Sequence, residues 1–318
     1  MQLKKFQHVN ATTLDEATSI LAGGKAQAIA GGTDLIGTLR AQILVDYPET
    51  VVNLKTIPGL DYIKEEGGML KIGALTRLED IAIDSTIKSK YAALAEAAHK
   101  TASPHIREMG TIGGNICQLN RCWYFRKPNN WFDCLRKNPA GLCYAQVGDN
   151  RYHSIFGGVG GCFAVSPSDT APALVVLDAK VVTSKRIVGI EEFMTGDLER
   201  ATILDDDEIV TEIQVPEPAA GVKSAFIKFA LRASIDFPVV NCAAAIGGGA
   251  ARICLNAVSH NPHRATAAEE AIAGKTIDEA NAEAAGAEAV KGALALTYNK
   301  WKIQIAKVMV KRAILACK

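Results

Sequence analysis

Apolar residues recur at helical spacing near the start of the chain, where Leu14, Ala17, Ile20 and Leu21 form one stripe. Thr12 or Thr13 can cap that stripe, and Asp15 and Glu16 suit its first turn, so a helix is predicted. A buried strand over 26–30 then runs into Gly31-Gly32-Thr33-Asp34, and Val51-Val52-Asn53-Leu54 closes a β-α-β-like lobe over 1–55. The pattern next predicts a strand over 69–73 and an Ala-rich helix over 91–100. Ala171-Pro172-Ala173 opens the apolar run 174–177, and the proline reads as the entry to an edge strand. After Pro216-Glu217-Pro218, alternation predicts strands over 224–231, 239–246 and 252–258, with Gly247-Gly248-Gly249 as a hairpin turn. Two helices close the chain. Thr276 with Glu279 reads as a capping box for the first, and Tyr298, Trp301, Ile305 and Val308 form one face of the second.

These elements divide the chain into 1–55, 56–215 and an α+β tail over 216–318. Only 117–168 shows no sustained period; it is rich in Cys, Trp, Tyr, Gly and Asn, and an irregular stretch of that length is usually functional. At 318 residues several domains are expected, and no apolar run approaches the roughly 18 residues of a membrane span. The start, Met1-Gln2-Leu3-Lys4-Lys5-Phe6, has a basic pair without an apolar stretch behind it, so neither a secretory signal nor a twin-arginine leader is expected and cytoplasm is the default. A net charge of +1 argues against a nucleic-acid partner. Eight cysteines without an export signal read as thiols or metal ligands.

Ala30-Gly31-Gly32-Thr33-Asp34 and Thr111-Ile112-Gly113-Gly114-Asn115 are two turns of one kind. Glycines let backbone N–H groups approach a pyrophosphate without a Cβ in the way, and two such turns can clamp one dinucleotide. Other nucleotide motifs fail: no G-x-G-x-x-G follows a strand, and Gly274-Lys275-Thr276 has Glu269 where a P-loop needs glycine.

With the turns in this order, followed by Ser103-Pro104-His105-Ile106-Arg107-Glu108-Met109-Gly110 and Pro167-Ser168-Asp169-Thr170-Ala171-Pro172-Ala173-Leu174, nearly the whole chain resembles the FAD-binding medium subunits of the xanthine dehydrogenase family. The resemblance implies an α+β fold: a bipartite FAD-binding domain of the vanillyl-alcohol-oxidase and CO-dehydrogenase flavoprotein type, with subdomains over 1–55 and 56–215, and a C-terminal CO-dehydrogenase-flavoprotein-like domain over 216–318. It further implies that Ile29, Ala30, Gly31, Gly32, Thr33 and Asp34 hold the pyrophosphate. Thr111, Gly113, Gly114 and Asn115 would line the flavin and its phosphates, His105 would be a cofactor-side residue, and Asp169 a ribityl-side ligand. Lys228 matches a basic position near the cofactor in some members, while the pattern alone equally allows a solvated Lys on an alternating strand.

Within 117–168, Cys122, Cys134, Cys143 and Cys162 follow as C-x11-C-x8-C-x18-C among many aromatics. Four thiolates suit a 4Fe-4S cluster; four-cysteine zinc usually has shorter knuckles, and unliganded thiols are the third reading. His153 could replace a cysteine ligand, but a lone His in a Gly- and Asn-rich loop reads first as a polar surface residue, and Cys117, Cys242, Cys254 and Cys317 read as small hydrophobes. The insert resembles that of the FAD subunit of 4-hydroxybenzoyl-CoA reductase, which implies a 4Fe-4S cluster on the four cysteines, matched by order rather than spacing.

No triad, His pair or spaced carboxylate pair suggests substrate chemistry in the chain, and Asp205-Asp206-Asp207-Glu208 reads as a solvated turn. The resemblance implies an electron-transfer subunit working with a large molybdopterin subunit and a small 2Fe-2S subunit, as a dimer of heterotrimers, with ferredoxin as a conceivable external donor. It leaves open reduction of an aromatic acyl-CoA or oxidation of a purine, aldehyde or N-heterocycle. A self-contained flavin oxidase, which would turn over alone, and a colourless zinc-stabilised binding module are the rival classes.

Overall fold

The computed structural model describes residues 3–318, so Met1 and Gln2 of the leader reading lie outside the described residues. A parallel sheet of β1 (Gln7–Asn10), β2 (Ala26–Ile29) and β3 (Thr50–Asn53), in the order β1-β3-β2, forms the first lobe. Its helix, Leu14–Ala22, is capped by Thr13, whose side chain accepts from the Glu16 N–H, and buries Ala17 and Leu21. Glu16 reaches back to the Thr12 backbone N–H at 2.7 Å, completing a reciprocal cap.

The middle sheet, order β4-β5-β8-β6-β7, contains β4 (Ile63–Glu66), β5 (Met69–Gly73), β6 (Lys180–Thr183), β7 (Ile187–Gly189) and β8 (Val210–Pro216). All its pairings are antiparallel. The tail sheet, order β12-β11-β10-β9, contains β9 (Lys223–Phe229), β10 (Val240–Gly247), β11 (Ala250–Asn256) and β12 (His263–Arg264). Gly247 pairs with Ala250, and Gly248 and Gly249 between them have φ of 60° and 83°, the conformation of a two-residue type I′ hairpin. One apolar core joins the middle and tail: Leu70, Ile72, Leu94, Leu174 and Ile213 pack in the same cluster as Phe226, Ala243 and Cys254.

Four expectations are corrected. The run 174–177 is not a strand but belongs to the helix Thr170–Val176, buried along its whole length, where periodicity cannot separate helix from strand. Pro172 sits in the first helical turn, where a missing N–H costs nothing. The penultimate helix begins at Glu279 and is capped by Asp278, which accepts from Asn281 N–H, so Thr276 is not its cap. The last helix, Trp301–Leu315, buries Lys302, Ala306, Met309, Val310, Ala313 and Ile314, while Tyr298 and Trp301 are exposed. Finally, Glu208 is not solvated: it is buried and paired with Arg186 at 2.7 Å.

Among the described residues no helix is long and apolar enough to cross a membrane. The irregular stretch 117–168 has only two single-turn 3-10 segments and isolated bridges, including Arg121 to Val165 and Cys134 to Leu142.

Candidate functional site

The two glycine turns touch. A Cβ at Gly31 would lie 1.9 Å from the Met109 carbonyl oxygen, so the chain can approach this closely only with glycine there. Gly32 has φ of 69°, the left-handed conformation that glycine adopts without strain. No described residue accepts a hydrogen bond from the backbone N–H groups of Gly31, Gly32, Thr33 or Asp34, and such a run of free donors suits an anionic group.

The second turn is built differently. It is the start of a short helix, Ile112–Ile116, capped by Thr111, whose hydroxyl accepts from Gly114 N–H at 3.2 Å. Ile112 N–H donates to the Thr76 carbonyl and Gly113 N–H to the Ala74 carbonyl, so these donors are committed within the protein. What this turn offers is side chains. The Asn115 side-chain Oδ1 accepts from Ser168 Oγ at 2.5 Å and Thr170 Oγ1 at 2.7 Å, tying the second motif to the third.

Asp169 lies beside this network, buried, with Lys228 Nζ at 2.7 Å and Asn241 Nδ2 at 2.7 Å. Burial raises its carboxyl above the usual range although Lys228 and Asn241 pull the other way. Lys228 is not solvated: 7% of its side chain is exposed, and it also donates to the Lys100 carbonyl. His105, on the short helix Pro104–Arg107, is exposed.

The insert is locked to the first turn through Asp34. Arg121 Nη2 reaches Asp34 Oδ1 at 2.8 Å, and Arg126 grips both carboxylate oxygens at 2.9 and 3.0 Å. Burial would raise Asp34, but the two guanidinium groups outweigh it and hold the carboxyl below its ordinary value. Burial brings Arg121 down to about 10.

The four cysteines converge in a pocket next to this lock. Cys134 and Cys162 are buried and Cys122 and Cys143 half-buried. Burial pushes Cys122 up to about 12, with Cys162 and Cys143 near enough to add to the rise, and Cys162 feels Cys143 and Cys134 in the same way. Among the described residues no three His, Cys, Asp or Glu side chains surround one point closely enough to hold a single ion. Two cations face the thiols without an acid partner. Arg136 is buried, its Cζ lies 3.9 Å from the Phe125 ring centroid, and its Nη1 has no hydrogen-bond partner. Lys137 is half-buried, and its Nζ, 5.1 Å from the same ring centroid, has no hydrogen-bond partner.

His153 is buried, which corrects its reading as a surface residue. Its Nε2 lies 3.2 Å from Cys122 Sγ. Burial, helped by the Lys302 cation, lowers its pKa to about 4. Pattern reading missed Arg121 as a clamp, together with Arg126, Arg136, Lys137, Asn241 and Lys302. One signal was available: 117–168 carries Arg121, Arg126, Lys127, Arg136, Lys137 and Arg151 against only Asp133 and Asp149, an excess that invites an anionic centre.

Known proteins resemble this chain along its length. Residues 4–218 match the family described as the FAD binding domain in molybdopterin dehydrogenase, and residues 225–317 the CO dehydrogenase flavoprotein C-terminal domain. The FAD-binding subunit of an aldehyde oxidoreductase from Escherichia coli strain K12 is 33% identical, over 85% of this chain and 86% of its own. The FAD subunit of nicotinate dehydrogenase from Eubacterium barkeri is 30% identical, over 79% of this chain and 72% of its own. Carbon monoxide dehydrogenase from Hydrogenophaga pseudoflava superposes with a TM-score of 0.77 at 26% identity, covering 100% of this chain and 98% of that one. This chain therefore belongs to the FAD-binding medium subunits of the xanthine dehydrogenase and CO dehydrogenase family of molybdenum hydroxylases.

Proposed function

We propose that the chain is an electron relay carrying FAD between the two glycine turns and a 4Fe-4S cluster on Cys122, Cys134, Cys143 and Cys162. In this reading 1–55 and 56–215 are the flavin subdomains, 216–318 is the C-terminal domain, and the protein works in the cytoplasm. A flavin exchanges one or two electrons and an iron-sulfur cluster one at a time, so together they connect pair chemistry to single-electron flow.

The free N–H groups of Gly31 to Asp34 would hold the pyrophosphate, with Ile29 and Ala30 delivering the turn from β2. Thr111, Gly113 and Gly114 would wall the flavin, Asn115 would orient Ser168 and Thr170, and Asp169 with Lys228 would face the ribityl side. His105, exposed beside these segments, would contact the cofactor from the rim.

The observation that carries the cluster is the pairing of four convergent thiols with the buried Arg136 and the half-buried Lys137, neither of which has an ion-pair partner. A buried unpaired cation is costly, and an anionic cluster supplies the missing countercharge. Four irons that each take one thiolate also suit cysteines spread too widely for a single zinc.

Substrate chemistry would lie on a large molybdopterin subunit, reached through a small 2Fe-2S subunit in a dimer of heterotrimers. The similarity to an aldehyde oxidoreductase subunit supports oxidation of an aldehyde or N-heterocycle, with electrons leaving through this chain. A second reading, reduction of an aromatic acyl-CoA fed by ferredoxin, rests on the cysteine insert.

The test is iron and acid-labile sulfide per flavin on anaerobically purified protein, with Cys143→Ser beside it. About four irons and four sulfides per FAD are expected for one cluster. The variant should keep FAD and lose iron. Flavin without iron in the unaltered protein would remove the cluster from the relay.

A further inference from the structure

The electron-relay reading leaves one buried polar side chain in the cysteine pocket without a task. His153 comes within 3.2 Å of Cys122 Sγ through Nε2, while its Nδ1 is buried and has no partner. The ring is fixed from several sides. Its backbone N–H donates to the Asn150 carbonyl. Its own carbonyl accepts from Lys302 Nζ at 3.1 Å, in the last helix, and from Asn299 Nδ2 at 3.2 Å, two residues before that helix begins. Trp123 and Tyr124 wall the ring at 5.7 and 5.9 Å between centroids.

A neutral imidazole carries one N–H, on either Nδ1 or Nε2. On Nδ1 that proton would be a buried donor facing nothing, and with Cys122 ligating as a thiolate the bare Nε2 lone pair would face a sulfur lone pair, so both contacts would be unfavourable. On Nε2 it meets a sulfur acceptor, and only a lone pair is left unmatched at Nδ1. The tautomer that satisfies the pocket therefore points its proton at Cys122.

Resting on the relay reading, we propose that His153 is a positioning residue that donates an Nε2–H hydrogen bond to the Cys122 thiolate and raises the reduction potential of the cluster it holds. A donor aimed at a ligating sulfur stabilises the more negative, reduced form more than the oxidised one, and hydrogen bonds to the sulfurs are among the factors that set such potentials. The pocket makes the donor rigid: with Lys302 and Asn299 clamping its carbonyl, His153 stays where the last helix puts it.

The experiment is a redox titration of the anaerobically purified whole enzyme, following the electron paramagnetic resonance signal of the reduced 4Fe-4S cluster in the unaltered protein, His153→Phe and His153→Gln. Iron, sulfide and flavin are counted in each. The Phe variant keeps the ring shape without the donor and should retain all three at unaltered levels. At a fixed potential its reduced-to-oxidised ratio should fall about tenfold, a midpoint about 59 mV more negative for one electron. Gln restores an N–H donor and should recover most of the shift. An unchanged midpoint in His153→Phe would overturn the inference while leaving the relay intact. Loss of iron from both variants would also overturn it, making His153 a ligand or a structural prop. Absence of iron from the unaltered enzyme would remove the relay reading, and this inference with it.

Discussion

The proposed flavin cradle and the cysteine pocket share a boundary at Asp34 but satisfy their polar groups by opposite means. In the cradle the polar side chains are matched within the protein: Asn115 with Ser168 and Thr170, Asp169 with Lys228 and Asn241, and the second turn's N–H groups with carbonyls. The run Gly31 to Asp34 is left open, and Asn241 Oδ1 is a buried acceptor without a partner. In the pocket the mismatch is one of charge, since the buried Arg136 donates only to the Leu198 and Glu199 carbonyls and the half-buried Lys137 has no ion-pair partner. A neutral, nearly satisfied frame with free donors suits a ligand that can leave and return. A cationic pocket suits a permanent anionic centre, because removing that centre would strand the charges.

The largest effect that would separate the two regions comes from Gly31→Ala. Its Cβ would sit 1.9 Å from Met109 O, a backbone atom that cannot give way. Visible absorbance should show flavin lost and iron retained, the mirror image of the Cys143 variant; bound flavin at full stoichiometry would mean that the close approach is unnecessary. Asp34→Asn should disturb both regions at once, because it leaves Arg121 and Arg126 uncompensated. Since the Asp34 and Arg121 side chains each keep 22% exposure, a loss of about 3 kcal/mol in chemical denaturation, the low end for a broken buried pair, is expected.

A third test is pH. Burial brings the Lys302 amine down to about 7 in the folded chain, against roughly 10.4 when unfolded. Between those values the unfolded chain binds a proton that the folded one does not, so stability should rise with pH across that window, by on the order of a few kcal/mol. Thermal melts at pH 7 and 9.5 should show this rise, and Lys302→Met should flatten it. The smallest effect is expected from Thr111→Val, which removes the cap on Gly114 N–H and should cost about 1 kcal/mol in chemical denaturation.

Much of this arrangement was legible from the residues. The period-two runs gave the tail strands to within about two residues, the usual boundary error. Gly247-Gly248-Gly249 marked its hairpin because two consecutive positive φ values call for glycine. The run 174–177 failed for a physical reason: a helix buried on every side has no polar face to display its period. Lys302 failed because a lysine on a helix is read as its wet face, whereas here three carbonyls, from Tyr152, His153 and Ala257, receive its ammonium.

The sequence by itself determined what depends on neighbours along the chain: the alternation of strands, the glycines that permit tight turns, and the order of four cysteines in a stretch without regular structure. Tertiary structure alone decided which charges meet. Arg121 and Arg126 find Asp34 across 87 and 92 positions, Lys228 finds Asp169 across 59, and Lys302 finds His153 across 149. The worth of such pairings comes from burial and from partners that no local pattern brings together, so the same residue types read as solvated until the fold removes their water.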